Sequence, residues 1–217
     1  MNNRPTIITV LWLLLFQALL FCSSGYAHDA KGFDSRKPVC FLNYPTSPEL
    51  FNETLAPYVE KIIEIHGLEE WKATLLTNEM HRHLGLWSII GAKMGVRARQ
   101  LLSAPFDHLQ VVSFAGFDPP FSCLNDGIQI STGASLGRGT ISNTLVGKPE
   151  AIFISNGKRV LIKPKDTILK TVEQTIVTLS KNYGFQSDQY FKELEKISVK
   201  YWLEWNRAEM FEETFWQ

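Results

Sequence analysis

The chain has 217 residues, 45% of them hydrophobic and 20% charged, with 22 Lys and Arg against 22 Asp and Glu and a formal net charge of zero. A balanced chain has no long-range field to gather phosphates or anionic lipid, which excludes a charge-driven nucleic-acid binder, and its apolar fraction excludes a disordered chain. Three cysteines are too few for a disulfide scaffold or a four-thiolate zinc site, so function has to be read from local motifs.

The N-terminus departs from the average. Arg4 is the only charged residue among the first 27, and Val10 to Cys22 form an apolar run broken by Gln17. That run is too short to span a bilayer comfortably, and Gly25 and Ala27 supply the small residues of a signal-peptidase site before His28. The pattern predicts a signal peptide over residues 1–27 and an exported protein, periplasmic or secreted, with Cys40 and Cys123 as its remaining cysteines. An oxidising compartment invites a disulfide between those two.

Residues 28–47 are polar, Pro-containing and aperiodic, and read as a leader segment. From Ser47 the apolar positions Leu55, Val59, Ile62, Ile63 and His66 recur at three and four, which predicts a helix stopping at Gly67, with Glu69 to Leu76 as a further short helix. A longer helix is predicted from Leu84 to Leu102, and Gly91, Ala92, Gly95 and Ala98 give it an unusually small flank. Two glycines inside a helix cost about 1 kcal/mol each relative to alanine, so another backbone has to pack against them. A tight contact within the chain and a dimer face both meet that requirement.

Strand signals follow at His108 to Phe114, Ile128 to Ser131, Ala151 to Ile154 and Val160 to Ile162. The last two flank Ser155-Asn156-Gly157-Lys158, and Asn-Gly between apolar runs is the strongest short-range hairpin signal. After Pro164 the stripe Ile168, Val172, Ile176, Leu179 predicts a helix ended by Gly184, and Ser187 caps a final helix carrying Tyr190, Leu194, Ile197, Tyr201, Trp205 and Phe211. This layout predicts an α+β domain with a helical C-terminal extension, residues 166–217, whose aromatic side chains pack as core.

Two stretches carry chemistry. His81-Arg82-His83 lies between helical segments, where residues two apart in an extended link face the same side and can reach one ion. Two imidazoles with one thiolate form a borderline-soft set suited to zinc, nickel or copper. His108 is a candidate supporting residue at a strand start. The segment Cys123-Leu124-Asn125-Asp126-Gly127-Ile128-Gln129 places a thiol, a carboxylate and carboxamides together, and runs into the Gly-rich stretch Thr132 to Gly139. The spacing of Gly133, Gly137 and Gly139 matches neither the dinucleotide fingerprint nor the P-loop. There is no nucleophile elbow and no Cys-x-x-Cys of a zinc deaminase; a Cys123 nucleophile with a histidine base has its pieces present but no local signature.

Together, His81-Arg82-His83-Leu84-Gly85, Gly91-Ala92-Lys93-Met94-Gly95, Cys123 to Gln129 and Thr132-Gly133-Ala134-Ser135-Leu136-Gly137-Arg138-Gly139 resemble the FmdE-like proteins, named for a gene product of formylmethanofuran dehydrogenase operons. The resemblance covers residues 48–165. It implies an α+β fold with a mixed sheet, a homodimer, and a metal centre, zinc in the first instance, with His81, His83 and Cys123 at the metal positions. It also implies that Asp126, Gln129 and Thr132 line the pocket or stand behind the ligands. Where many relatives have cysteines this chain has Gly85 and Ala134, which argues against a thiolate-rich centre. Three cysteines cannot ligate clusters, so the operon's name does not transfer an activity.

Two readings remain open on these residues, besides that of a degenerate relative that has lost its metal and serves as a binding or interaction module. One is an exported protein that binds a divalent metal, zinc, through the His-x-His pair and Cys123, with a small-molecule ligand as a further partner. The other is a metal-dependent hydrolase or lyase that uses an open metal position, with Asp126 as base.

Overall fold

The structure, a computed structural model, describes residues 39–216. The expected signal peptide and the leader up to residue 38 lie outside the described residues. Among those described, no helix is long and apolar enough to cross a membrane.

Helix α1 covers Val59–His81. Gly67, the predicted stop, does leave helical geometry (φ 82°, ψ 162°), yet the chain resumes the helix beyond it. The reason is tertiary. Trp71 and Leu75, past the kink, enter a cluster with Leu55, Val59, Ile62, Leu84, Ile89, Val199 and Trp202, and Trp71 stacks on Trp202 with ring centroids 5.1 Å apart. Burying two indoles outweighs the roughly 1 kcal/mol that one interior glycine costs.

Helix α2, Leu86–Leu102, follows the predicted segment closely. Its small flank is filled from within the chain by α3, Leu124–Thr132. A Cβ on Gly127 of α3 would lie 2.6 Å from the Gly91 carbonyl carbon and closer still to Ala92 N and Ser88 O, and one on Gly95 would lie 2.9 Å from Thr132 Cγ2. This backbone-to-backbone approach corrects the strand predicted at Ile128 to Ser131. The run Ile-Gln-Ile-Ser is β-prone locally, but as a helix it lays Gly127 and Ser131 against α2 and buries Leu124 and Ile128 completely.

Among the described residues five strands form one mixed sheet in the order β2-β1-β3-β4-β5: β1 Gln110–Ser113, β2 Ile141–Asn143, β3 Ala151–Ser155, β4 Lys158–Pro164 and β5 Phe211–Trp216. Only β1 and β2 are parallel. Parallel neighbours need a crossover, and the segment between them carries α3, so the Cys123 motif lies on that crossover. Ser155 pairs with Lys158, leaving Asn156 and Gly157 as a two-residue turn at φ 49° and 77°. Both central residues therefore have the positive φ of the predicted hairpin.

Helices α4, Asp166–Tyr183, and α5, Asp188–Glu204, follow. Ser187 caps α5, its hydroxyl accepting from Tyr190 N at 3.1 Å. The expected continuation of that helix to Phe211 does not occur. After Glu204 the Asn206 side chain accepts from Ala208 N at 3.0 Å, turning the chain back, and Phe211 to Trp216 pair antiparallel with β4. The region beyond residue 165 is thus two helices and an edge strand. Of its aromatics, Trp202 and Phe211 are buried, whereas Phe215 is 54% exposed.

One buried ionic group ties this return to the helices. Lys93 of α2 and Glu70 of α1 are fully buried, with Nζ donating to Glu70 Oε1 at 2.5 Å and to Trp205 O at 2.8 Å. Arg207 donates to the other Glu70 oxygen and to His66 O, both at 2.9 Å. Burial pulls the Lys93 ammonium down to about 8 against the opposing pull of Glu70.

Candidate functional site

His81 is the last residue of α1. Arg82 then takes the left-handed conformation (φ 71°) and donates its N–H to Asn78 O at 2.9 Å. This cap, rather than an extended link, folds His83 back so that the two imidazole rings lie 4.4 Å apart at 40°. The buried Asn78 side chain holds the link, accepting from Gly85 N at 3.2 Å and Ser88 Oγ at 2.8 Å. His83 meets Phe191 of α5 edge to face at 5.3 Å. A Cβ at Gly85 would stand 3.2 Å from His81 Nε2, so this position abuts the ring.

The second half of the site comes from α3. Cys123 precedes its first residue, and Asp126 and Gln129 follow at three-residue intervals along one side. Asp126 Oδ2 accepts from His81 Nδ1 at 2.8 Å, with the two side chains 10% and 32% exposed. Cys123 also acts on the His81 imidazole and favours its charged form. The Asp126 bond foremost, then Cys123, push His81 up to about 9 against the opposing effect of burial. His83 moves the other way, lowered by burial and then by the charge on His81. At neutral pH the pair therefore comprises one cationic and one neutral imidazole.

Cys123, Asp126 and Gln129 line a cleft of about 380 Å³, whose far wall comes from Gly116, Phe117, Ile141 and Asn143. Gln129 Oε1 accepts from Leu136 N at 3.4 Å across it. His83 faces a different cleft of about 360 Å³, shared with Glu79, Arg82 and Glu195. Thr132 stands apart: it is buried, its hydroxyl donates to Ile128 O at 2.6 Å and accepts from Ala134 N at 3.1 Å, and it closes the end of α3. His108 is exposed at the start of the strand region, away from the cleft-lining set. Cys40, exposed, and Cys123, half-buried, are both free thiols, so the invited disulfide is not formed.

Local sequence did not single out the far wall. Asn125 accepts from Ser113 Oγ at 2.5 Å and donates to Gly116 O at 3.1 Å, and Asn143 donates to the same carbonyl at 2.5 Å. Asn143 reaches Gly116 only because β2 pairs with β1, a long-range fact without a local signal.

The donor chemistry suits zinc: two imidazoles and a thiol, with a carboxylate on the Nδ1 of one imidazole as in carboxylate–histidine–metal sites. Among the described residues no three His, Cys, Asp or Glu side chains surround one point as ligands would. As they stand, His81 and Asp126 are held to each other by a proton. A metal would displace a proton and draw the side chains inward.

With chelator present, the His81–Asp126 pair predicts a pH-dependent stability. The His81 pKa is raised from 6.5 to about 9, so its contribution is complete below pH 6.5 and is lost as pH rises through about 9. Because solvent reaches Asp126, the loss should be about 1–2 kcal/mol, less than the shift alone implies. Thermal midpoints from pH 6 to 9.5 should fall in the wild type and flatten in Asp126→Asn; equal slopes would refute the assignment.

No curated protein matches the chain. A model of the family described as FmdE, Molybdenum formylmethanofuran dehydrogenase operon, matches residues 80–212, from the last residues of α1, where the histidine pair begins, through the cleft motif to the start of β5. That span covers well over half of the sequence and contains every candidate ligand, and on it the chain belongs to the FmdE family.

Proposed function

We propose that this FmdE-family protein is exported and binds a divalent metal, zinc, through His81, His83 and Cys123, with Asp126 orienting His81 and Gln129 on the wall of the adjoining cleft. One observation carries the reading: the Asp126 carboxylate holds the His81 ring, the Cys123 side chain acts on the same ring electrostatically, and the His83 ring lies 4.4 Å away. The histidines come from a helix end and the thiol from a crossover far along the chain. A purely structural histidine needs only one partner. The neutral His83 is already in the protonation state that a ligand requires.

Elemental analysis of protein purified without a histidine tag tests this directly. About one zinc per chain is expected in the wild type, with most of it lost in His83→Ala and in Cys123→Ser. A metal-free wild type, or unchanged content in both variants, sinks the proposal. Asp126→Asn should keep the site but weaken zinc by about 10–100-fold in a competition titration, the usual cost of losing such a support. Export predicts a mature chain beginning at His28, read by N-terminal sequencing. The homodimer predicts twice the chain mass in light scattering.

A metal-dependent hydrolase or lyase is the second reading, favoured by the cleft that opens on Cys123 and Asp126. A bound zinc with an open position would polarise a carbonyl or activate water there. Since Asp126 is engaged by His81, its role in this reading is to orient that imidazole rather than to act as a free base. Metal-loaded protein that turns over nothing in a broad hydrolase and lyase screen would count against it.

A further inference from the structure

The two faces of the sheet differ in what they meet. Val111, Phe153, Val160 and Ile162 are buried in the main core cluster with the helices. Their neighbours Val112, Ile152, Ile154 and Leu161 alternate to the opposite face, are half-buried, and belong to neither hydrophobic cluster. Strand register sets Val112, Ile152 and Leu161 in one cross-strand row between Ser142 and Thr214, and Gln110, Ile154, Arg159 and Trp216 in the next. A sheet face turned to water ordinarily carries polar side chains at such positions. Here the middle of the sheet carries four aliphatic ones, with Trp216 at its edge 38% exposed.

The pattern is symmetric about the middle strand, β3. That strand supplies Ile152 and Ile154, and its neighbours supply Val112 and Leu161 level with Ile152. A two-fold axis along β3 would set Ile152 and Ile154 against their own copies and Val112 against Leu161, apolar on apolar. The charges beside the stripe balance, Arg159 and Lys163 against Glu150 and Glu212, with Lys163 paired to Glu212 at 2.8 Å and within the field of Glu150. The same axis sets Arg159 opposite Gln110, where it meets no like charge. A strongly charged partner gains nothing from so balanced a face, whereas a second copy meets no repulsion there. Five strands about 4.8 Å apart and three rows about 7 Å apart make a patch on the order of 500 Å² in projection, and its corrugated accessible surface approaches the roughly 800 Å² that each side of a stable interface contributes.

We propose that this open face is where two copies of the chain meet, sheet on sheet, with Ile152 at the two-fold axis. This rests on the homodimer proposed above and deepens it by naming the surface. Aligned sheets pack about 10 Å apart with their strands within about 30° of one another, which lets the two aliphatic stripes interdigitate. Ile141 and Asn143, which line the Cys123 cleft, alternate to the face of β2 opposite Ser142, so the contact leaves that cleft uncovered.

Light scattering of the wild type beside Ile152→Arg and Leu161→Arg tests the face. The wild type should have twice the chain mass and each variant the mass of one chain, its dimer dissociation constant raised at least about 100-fold by a charge buried without a partner. Far-UV circular dichroism should be unchanged, because neither side chain belongs to the core. Should an arginine unfold the chain, cross-linking with a short bismaleimide decides. The thiol of Ile152→Cys should link to its own counterpart, located by peptide mass spectrometry, and that of Ser142→Cys, two strands from the axis, should not. Arginine variants that fold and stay dimeric, or no link at position 152, overturn the face and leave the homodimer standing. A monomeric wild type overturns both. Dimer loss in Phe215→Ser alone would move the contact to the free edge of β5, where Phe215 is exposed, and would overturn the face as well.

Discussion

Gly127→Ala is expected to lower the thermal midpoint by roughly 6–12 °C or to prevent folding, even though alanine is the better helix former. The new methyl would stand 2.6 Å from the Gly91 carbonyl carbon and closer to Ala92 N and Ser88 O, all backbone atoms of α2 that no rotamer change can move. Gaining helix propensity is worth about 1 kcal/mol, whereas separating two helices that touch through their main chains should cost about 3 kcal/mol or more. The displacement also swings Cys123 and Asp126, which share α3 and its N-terminus with Gly127, away from His81. Gly137→Ala is the control, since nothing lies within 4 Å of a Cβ there. Calorimetry of both variants checks the contrast, and a Gly127→Ala protein as stable as the wild type would contradict the packing described for α2 and α3.

Glu70→Gln should be comparably severe, at about 3–5 kcal/mol. The carboxylate, itself fully buried, accepts from Lys93 and from Arg207, and removing its charge leaves the Lys93 ammonium among apolar groups with only the Trp205 carbonyl and an amide. The penalty belongs to the stranded charge more than to the lost bond. A double replacement, Glu70→Leu with Lys93→Met, should therefore recover most of the stability, because both charges leave together and Arg207, 19% exposed, can turn to water. Denaturant unfolding of Glu70→Leu, Lys93→Met and the double closes the cycle. A double variant as unstable as the sum of the singles would show no coupling between the two charges and overturn the stranded-charge account.

The helix stripes, the Asn156-Gly157 turn and the Ser187 cap were legible because each rests on interactions within a few residues. The small flank of α2 announced a close backbone neighbour without saying which. Its neighbour was hidden in the segment whose local pattern favours a strand, so the same glycine pairing that explains the flank also overturned the strand. At the C-terminus the aromatic spacing suited a helix up to Phe211. The reversal depends on one Asn side chain and on the edge that β4 offers, and the second of these is invisible until the sheet exists.

By itself the sequence determined the elements that local physics governs, the balance of charge, the family resemblance and the identity of the candidate donors. The tertiary structure alone decided how those donors meet. A left-handed Arg82 folds the histidines together, the α3 crossover brings Cys123 and Asp126 to His81, and β2 beside β1 supplies the far wall of the cleft. The physical reason is range: caps, turns and periodicity act over three or four residues, whereas the site joins residues 81, 126 and 143 through helix packing and strand order, which no local window contains.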